Sequence, residues 1–146
     1  MSASYSKHAV DALNASSSCA GQIGHDFIGC EHIFLSILAI KNCSAVKALR
    51  LLGHSTDELS CSLRASLESG ASRTAVKGSL PLTQRTKKVL EIAEMSAKNL
   101  PVNTCTLVEA MLREGNNAAA DLLFNVGVTL EKFLSAALNS NNEKGS

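Results

Sequence analysis

Apolar residues in this chain recur at steps of three and four, which is the spacing of one face of an α-helix. No stretch alternates convincingly with a period of two, as a half-buried strand would. The clearest apolar stripe runs over residues 86–100. Thr83 lies just ahead of this stripe as a candidate N-cap, and Leu100 before Pro101 ends it because the residue before proline avoids helical angles. The pattern predicts an all-α fold.

Capping residues and glycines bound the other predicted helices. In the first half of the chain we expect helices from after Ser6 to near Gly24, and over about 30–40, 44–52 and 56–67. In the second half we expect helices over about 84–100, 105–114, 117–126 and 129–138, with Thr104 as the cap of the second of these. The total is about eight helices.

The same pattern occurs twice along the chain. A shift of 77 residues aligns Ser6 with Thr83, and a shift of 74 later aligns Gly53 with Gly127. Three residues are therefore missing from the second copy, and we place them in the loop before its second helix. A duplication of this kind predicts two four-helix repeats related by a pseudo-twofold axis. We expect one domain over 1–146, with repeat one at 5–68, a linker at 69–81, repeat two at 82–138 and a polar tail at 139–146.

Composition narrows the classes of function. The net charge is +1, aromatic residues make up 3% of the chain and tryptophan is absent. Neither a basic field nor stacking surfaces for nucleic acid are therefore expected, although a small helical nucleic-acid-binding protein stays an alternative. The longest apolar run, over 33–40, is too short to span a membrane. Five scattered cysteines without a Cys-x-x-Cys pair indicate a reducing compartment, so we predict a cytoplasmic protein. We also predict a monomer, since the two copies supply each other's partner surface.

Longer motifs carry a resemblance to a known family. The run GHDFIGCEHIFLSIL, followed by AVKALRLLG, and the second copy's LTQRTKKVLEIA are similar to the repeats of the N-terminal domain of Clp-type AAA+ unfoldases, closest to the ClpC type. The resemblance covers residues 5–138. It implies a non-catalytic domain that binds adaptor proteins and protein substrates beside an AAA+ ring, in the same chain or an associated one. The chain has no G-x-x-x-x-G-K-[ST] phosphate loop, and a free-standing accessory protein of a Clp protease complex is the alternative.

The resemblance also implies candidate binding residues. Some ClpC-type N-domains recognise arginine-phosphorylated proteins through the acid of a T-E-H motif and the opening Ser or Thr of a repeat. For this chain that implies a first site formed by Ser6 and Glu31. The second site would combine Thr83 with an acid, but the aligned residue is Cys105, so this site is expected to be lost. Lys87, one turn beyond Thr83, is a candidate contact to a bound anion.

Structural alternatives exist for these residues. Glu31 at the start of a helix is also stabilised by the helix dipole alone, and His32 fits an interior or capping histidine better than an acid–base catalyst. His25, Cys30 and His32 give three potential metal ligands where a structural zinc site needs four. Phe27 belongs either to the core or to a groove for a partner. We therefore predict no enzyme, no metal and no cofactor.

Overall fold

The computed structural model describes residues 4–67 and 80–140, and in these two ranges it contains eight α-helices and no strand longer than an isolated bridge. The all-α prediction is confirmed. Repeat one contributes the first four helices and repeat two the last four. Their bounds are α1 Lys7–Ile23, α2 Cys30–Leu38, α3 Ser44–Leu51, α4 Thr56–Ser66, α5 Gln84–Ala97, α6 Thr104–Glu114, α7 Ala118–Asn125 and α8 Leu130–Ser140.

The two sets of four helices pack in a reciprocal way. Helix α1 lies against α2 as α5 lies against α6, and α3 packs on α8 as α4 packs on α7. The third helix of each repeat thus contacts the fourth helix of the other. Buried side chains from both repeats form one continuous core, and its largest fully buried members include Phe34, Ile33, Leu49, Phe133, Leu107 and Leu123.

The opening segment of each repeat crosses to the other repeat. The amide of Ser6 donates to the carbonyl of Val102 over 2.8 Å, and the amide of Thr83 donates to the carbonyl of Ile28 over 3.1 Å. Each contact belongs to a short parallel bridge between an opening segment and the loop before the partner repeat's second helix. Because the opening segments cross in this way, each one lies beside the loop before the second helix of the other repeat.

Three details of the helix ends differ from the prediction. Helix α1 has 17 residues and α5 has 14, while the following segments 24–29 and 98–103 are equally long, so the three missing residues come from the helix and not from the loop. Helix α5 ends at Ala97 because Lys98 adopts a left-handed conformation with φ of 48°. The N-cap of α6 is Asn103, whose side chain accepts from the amide of Thr106, and Thr104 is the first helical residue.

Parts of the predicted connector and tail fall outside the described residues. Of the linker at 69–81 only residues 80 and 81 are described, and of the tail at 139–146 only 139 and 140. Across the ranges that the structure covers, the helices are all too short or too polar to cross a membrane.

Candidate functional site

A pocket of about 310 Å³ opens where the two repeats meet, at the N-terminal ends of α2, α5 and α7. We call it the junction pocket. It draws side chains from both repeats and combines a carboxylate, a guanidinium and a hydroxyl. Its lining residues are Phe27, Gly29, Cys30, Glu31, Thr83, Arg85, Asn117 and Ala118.

The Glu31 carboxylate lies back over the N-cap of its own helix. Gly29 is this N-cap, so the first turn of α2 has no side-chain cap. A Cβ added to Gly29 would overlap Oε1 of Glu31 and lie 2.8 Å from its Cδ. Because φ of −105° and ψ of 174° at Gly29 suit any residue, the glycine is needed for space and not for its backbone freedom. It makes room for the carboxylate at the pocket.

Hydroxyl groups tie the start of α5 to the loop before α2. The Thr83 side chain caps α5 by accepting from the amide of Thr86 over 3.1 Å. The two threonine hydroxyls lie 2.7 Å apart, and that of Thr86 donates to the carbonyl of Ile28 over 3.2 Å. Since Ile28 also accepts from the amide of Thr83, Thr83 is held beside the segment that leads to Glu31.

Arg85 supplies the positive charge of the junction pocket. Its Nε lies 3.6 Å from Oε2 of Glu114, and Oε1 of Glu114 accepts from the side-chain amide of Asn117 over 3.0 Å. Asn117 is buried; it caps α7 by accepting from the amide of Ala120 and donates to the carbonyl of Met111. The guanidinium is thus paired with a carboxylate that a buried residue orients.

Two histidines support the floor of the pocket. The amide of Gly29 donates to Nδ1 of His32 over 2.8 Å, and Nε2 of His32 lies 2.8 Å from Nδ1 of His25. These bonds assign the proton of His32 to Nε2, which donates to His25. The ring of His25 stacks on Phe27 with 5.0 Å between centroids and 15° between planes. Burial, with a smaller effect of His25, lowers the pKa of His32 to about 4. His32 is therefore a buried, neutral capping histidine.

Cys30 lines the pocket with an unreactive thiol. It is buried, and its Sγ lies 3.9 Å from the hydroxyl of Thr86. Burial raises the pKa of Cys30 to about 11, although the hydrogen bond to Thr86 opposes this, so the thiol stays protonated near neutral pH. The described part of the chain contains no cluster of three or more His, Cys, Asp or Glu side chains suited to a metal ion.

The structure regroups the predicted binding residues. Glu31 and Thr83 line the same pocket, although the sequence paired Glu31 with Ser6. Ser6 caps α1 and bonds to Val102 in the opposite loop, because the opening segments cross between repeats. The structure thus brings Thr83, and not Ser6, together with Glu31. Lys87 lines a neighbouring surface depression together with Gln84, Arg85, Lys88, Glu91 and Glu114.

Sequence reasoning missed two members of the site, Gly29 and Arg85. Arg85 lies inside the run LTQRTKKVLEIA with no role assigned, and its exposed side chain borders the junction pocket. Gly29 stood inside the family motif with no role assigned. A sequence signal for it does exist, since Gly29 is replaced by Asn103 in the second copy and Glu31 by Cys105, so that both positions change together.

The equivalent place in the other half lacks the glycine, the carboxylate and the guanidinium of the junction pocket. Asn103 fills the position of Gly29, and its side chain accepts from the amide of Thr106 over 2.9 Å. Cys105 replaces the carboxylate and is buried. The hydroxyl of Thr104 accepts from the amide of Ala45 over 3.1 Å at the start of α3. His8 aligns with Arg85, and its buried Nδ1 has no hydrogen-bond partner within residues 4–67 and 80–140.

Comparison with known proteins gives a family match over most of the chain. The model of the Clp repeat (R) N-terminal domain matches residues 4–126. An ATP-dependent Clp protease ATP-binding subunit ClpA homolog of Cyanidium caldarium is 31% identical over 134 residues, which are 90% of this chain and 16% of the relative. The negative regulator of genetic competence ClpC/MecB of Bacillus subtilis is 30% identical over 147 residues, covering 97% of this chain and 18% of the relative. The chain thus spans less than a fifth of the length of these relatives.

Solved structures share the fold at low sequence identity. The N-terminal domain of the chaperone ClpD from Arabidopsis thaliana superposes with a TM-score of 0.71 at 16% identity, covering 95% of each chain. The N-domain of ClpV from Vibrio cholerae gives a TM-score of 0.78 at 13% identity, covering 97% of this chain and 88% of that one. The Hsp104 N-terminal domain from Candida albicans gives 0.77 at 12% identity, with coverage of 97% and 94%.

Proposed function

The chain belongs to the family of Clp repeat N-terminal domains, and on this premise we propose that it is a non-catalytic module that captures adaptor proteins or protein substrates for a Clp-type unfoldase. The relatives named above are described as a Clp protease ATP-binding subunit homolog and as ClpC/MecB. Because the chain spans only 16% to 18% of their length, the ATPase ring that it serves, in the same or an associated chain, is part of the proposal.

We propose that the ligand of the junction pocket is a phosphorylated arginine side chain. The observation that carries this proposal is the placement of Glu31 with Thr83 and Arg85 in one pocket. A carboxylate accepts hydrogen bonds from guanidinium nitrogens, and a guanidinium binds phosphate oxygens. Phosphoarginine presents both groups, so its guanidinium would meet Glu31 and its phosphate would meet Arg85, beside Thr83 at the N-terminal end of α5.

The charges of the pocket favour the phosphorylated form over arginine itself. An unmodified guanidinium would be attracted by the carboxylate of Glu31 but repelled by the nearby cation of Arg85. The phosphate reverses the sign of that second interaction. Phosphoarginine is therefore expected to bind more tightly than arginine, with the difference decreasing as the salt concentration rises.

Titration calorimetry with free phosphoarginine tests this proposal on the wild type and on Glu31→Gln. The substitution keeps the size of the side chain and removes its charge, so we expect affinity to fall about tenfold or more. Glu58→Gln is the matched control, because Glu58 is an exposed acid in the first turn of α4. We expect one ligand per chain.

Two results of that titration would refute the assignment. One is equal affinity of Glu31→Gln and the wild type, with helical content unchanged by circular dichroism. The other is equal affinity of the wild type for arginine and phosphoarginine, which would leave Arg85 without a role in selection.

We further propose that the domain is a monomer. The third and fourth helices of the two repeats already cover each other, and the buried core extends through both. Light scattering at micromolar concentration should give the mass of one chain. A dimer mass would contradict this proposal without affecting the ligand assignment.

A further inference from the structure

The histidine pair below the junction pocket has no part in ligand contact as proposed above, yet three residues that line the pocket depend on it. Gly29 donates its amide to His32, Glu31 extends its carboxylate over Gly29, and Phe27 stacks on His25. The side chain of His32 is fully buried. Both of its ring nitrogens are engaged, Nδ1 as acceptor and Nε2 as donor.

A further proton cannot enter this pair without breaking one of its hydrogen bonds. A proton on Nδ1 of His32 would face the amide hydrogen of Gly29. A proton on Nδ1 of His25 would face the Nε2 hydrogen of His32. If His32 moved its own proton to Nδ1 to accommodate His25, it would again lose Gly29. Each route disturbs the segment that carries Phe27, Gly29 and Glu31.

We propose that His25 and His32 are a positioning pair that holds the rim of the junction pocket while both rings are neutral and releases it when the pair takes up a proton. The consequence for ligand affinity rests on the proposed function, whereas the consequence for the rim itself does not. The pair acts through Gly29 and Phe27 and does not touch the ligand.

The helices packed against α2 carry further titratable and charged groups. Those that act on Cys19 of α1 or Cys30 of α2 are Arg64 of α4, Arg85 of α5, Glu114 of α6 and Glu31 of α2 itself, and the sequences of α3 and α7 add Lys47, Arg50 and Asp121. The pKa of His32 is lowered by burial first and then by the charge of His25. The proton sensitivity of the rim is therefore assigned to the two histidines.

The second repeat shows the same cap built without histidine. Asn99 and Thr106 stand where repeat one has His25 and His32. The amide of Asn103 donates to the Thr106 hydroxyl over 3.4 Å, as the amide of Gly29 donates to His32. The double substitution His25→Asn and His32→Thr imports this arrangement into repeat one. It keeps an acceptor for Gly29 and removes both titrating groups.

Nuclear magnetic resonance of the wild type without ligand tests the pair directly. Ring-nitrogen shifts should show His32 protonated at Nε2 and not at Nδ1 at pH 7.5. On titration from pH 8 to pH 4, the amide resonance of Gly29 should move together with the histidine resonances, and its hydrogen exchange should accelerate as the pair is protonated. A proton on Nδ1 at pH 7.5, or a Gly29 amide that ignores the histidine titration, would overturn the proposal.

Calorimetry with free phosphoarginine at pH 7.5 and pH 4.0 tests the consequence for binding. Because the pKa of His32 is about 4, about half of the molecules carry the extra proton at pH 4.0. We therefore expect the wild type to lose affinity about twofold beyond the loss seen in the double variant, which carries the titration of the ligand and of the other groups. An identical pH dependence of the two proteins would overturn the proposal. If the wild type binds no phosphoarginine at either pH, the proposed function fails, and the resonance titration still decides the role of the pair. The resonance titration needs only the wild type, so it also tests the proposal if the double variant does not fold.

Discussion

The carboxylate of Glu31 owes its position to the residue two places before it. Gly29 has ordinary extended backbone angles, so its lack of a side chain is what admits the Glu31 carboxylate. The contrast with repeat two is informative, because there Asn103 carries a side chain and Cys105 needs no space beside it. Neighbouring positions thus differ together between the two repeats for one steric reason.

Gly29→Ala should weaken phosphoarginine binding by about tenfold while leaving the fold intact. The added methyl group would overlap Oε1 of Glu31, a flexible carboxylate that can move aside, and alanine accepts the backbone angles. Calorimetry measures the affinity, and the melting temperature should change by no more than a few degrees. Unchanged affinity would mean that the carboxylate binds ligand from another position.

The buried histidine makes stability depend on pH in a defined direction. The pKa of His32 falls from 6.5 to about 4 on folding, so between these values the unfolded chain binds more protons than the folded one. The free energy of unfolding therefore decreases as pH falls through this window, by up to about 3 kcal/mol from this residue. Urea unfolding at pH 7, 5.5 and 4.5 measures the decrease. The variant His32→Thr should lose most of this slope, and an equal slope in both proteins would contradict the assignment.

At the scale of helices, the local sequence predicts that a capping residue is present, but it does not decide which of two adjacent residues is the cap. Thr83 and Ser6 were predicted to precede their helices, and each accepts from an amide of the first turn. Asn103 and Thr104 are both suitable caps, and the burial that selects between them depends on α3, because Ala45 needs the hydroxyl of Thr104. The end of α5 depends on the left-handed Lys98, for which the sequence carries no glycine.

Two side-chain N-caps, Asn117 and Ser55, should contribute differently to stability because their surroundings differ. Asn117→Ala removes the cap of α7 together with a buried bond to the carbonyl of Met111, and should lower the free energy of unfolding by about 2 kcal/mol. Ser55→Ala removes the exposed cap of α4 and should cost about 0.5–1 kcal/mol. Urea unfolding compares the two. Equal losses would show that the bond between Asn117 and Met111 adds nothing to the cap.

For the whole molecule, the duplication predicted which residues correspond but not which ones meet. An alignment of repeats pairs Ser6 with Thr83 as equivalents, and it is silent on whether each opening segment folds onto its own loop or onto the other. The structure uses the second arrangement, through bonds from Ser6 to Val102 and from Thr83 to Ile28. Thr83 therefore lies beside the loop that leads to Glu31, the acid of the first motif. Ser6 lies beside the loop that leads to Cys105, where the second motif has no acid. Contacts between distant segments of this kind are set by packing and not by local pattern.

The near-symmetry of the domain allows the missing pocket to be rebuilt. The triple substitution His8→Arg, Asn103→Gly and Cys105→Glu gives the second half the charged and small residues that border the junction pocket, with Ser6 in the place of Thr83. We expect calorimetry to change from one phosphoarginine per chain to two. Because glycine is tolerated at an N-cap, loss of the Asn103 side chain should lower the free energy of unfolding by only about 0.3 kcal/mol.

Two controls separate the geometry of the rebuilt pocket from its charge. Cys105→Glu alone should leave one site, because the side chain of Asn103 occupies the space that the Glu31 carboxylate uses over Gly29. Adding Glu31→Gln to the triple variant should remove the original site and leave the new one. If the triple variant binds only one ligand while Glu31→Gln abolishes that binding, the three substituted residues do not suffice to make a pocket.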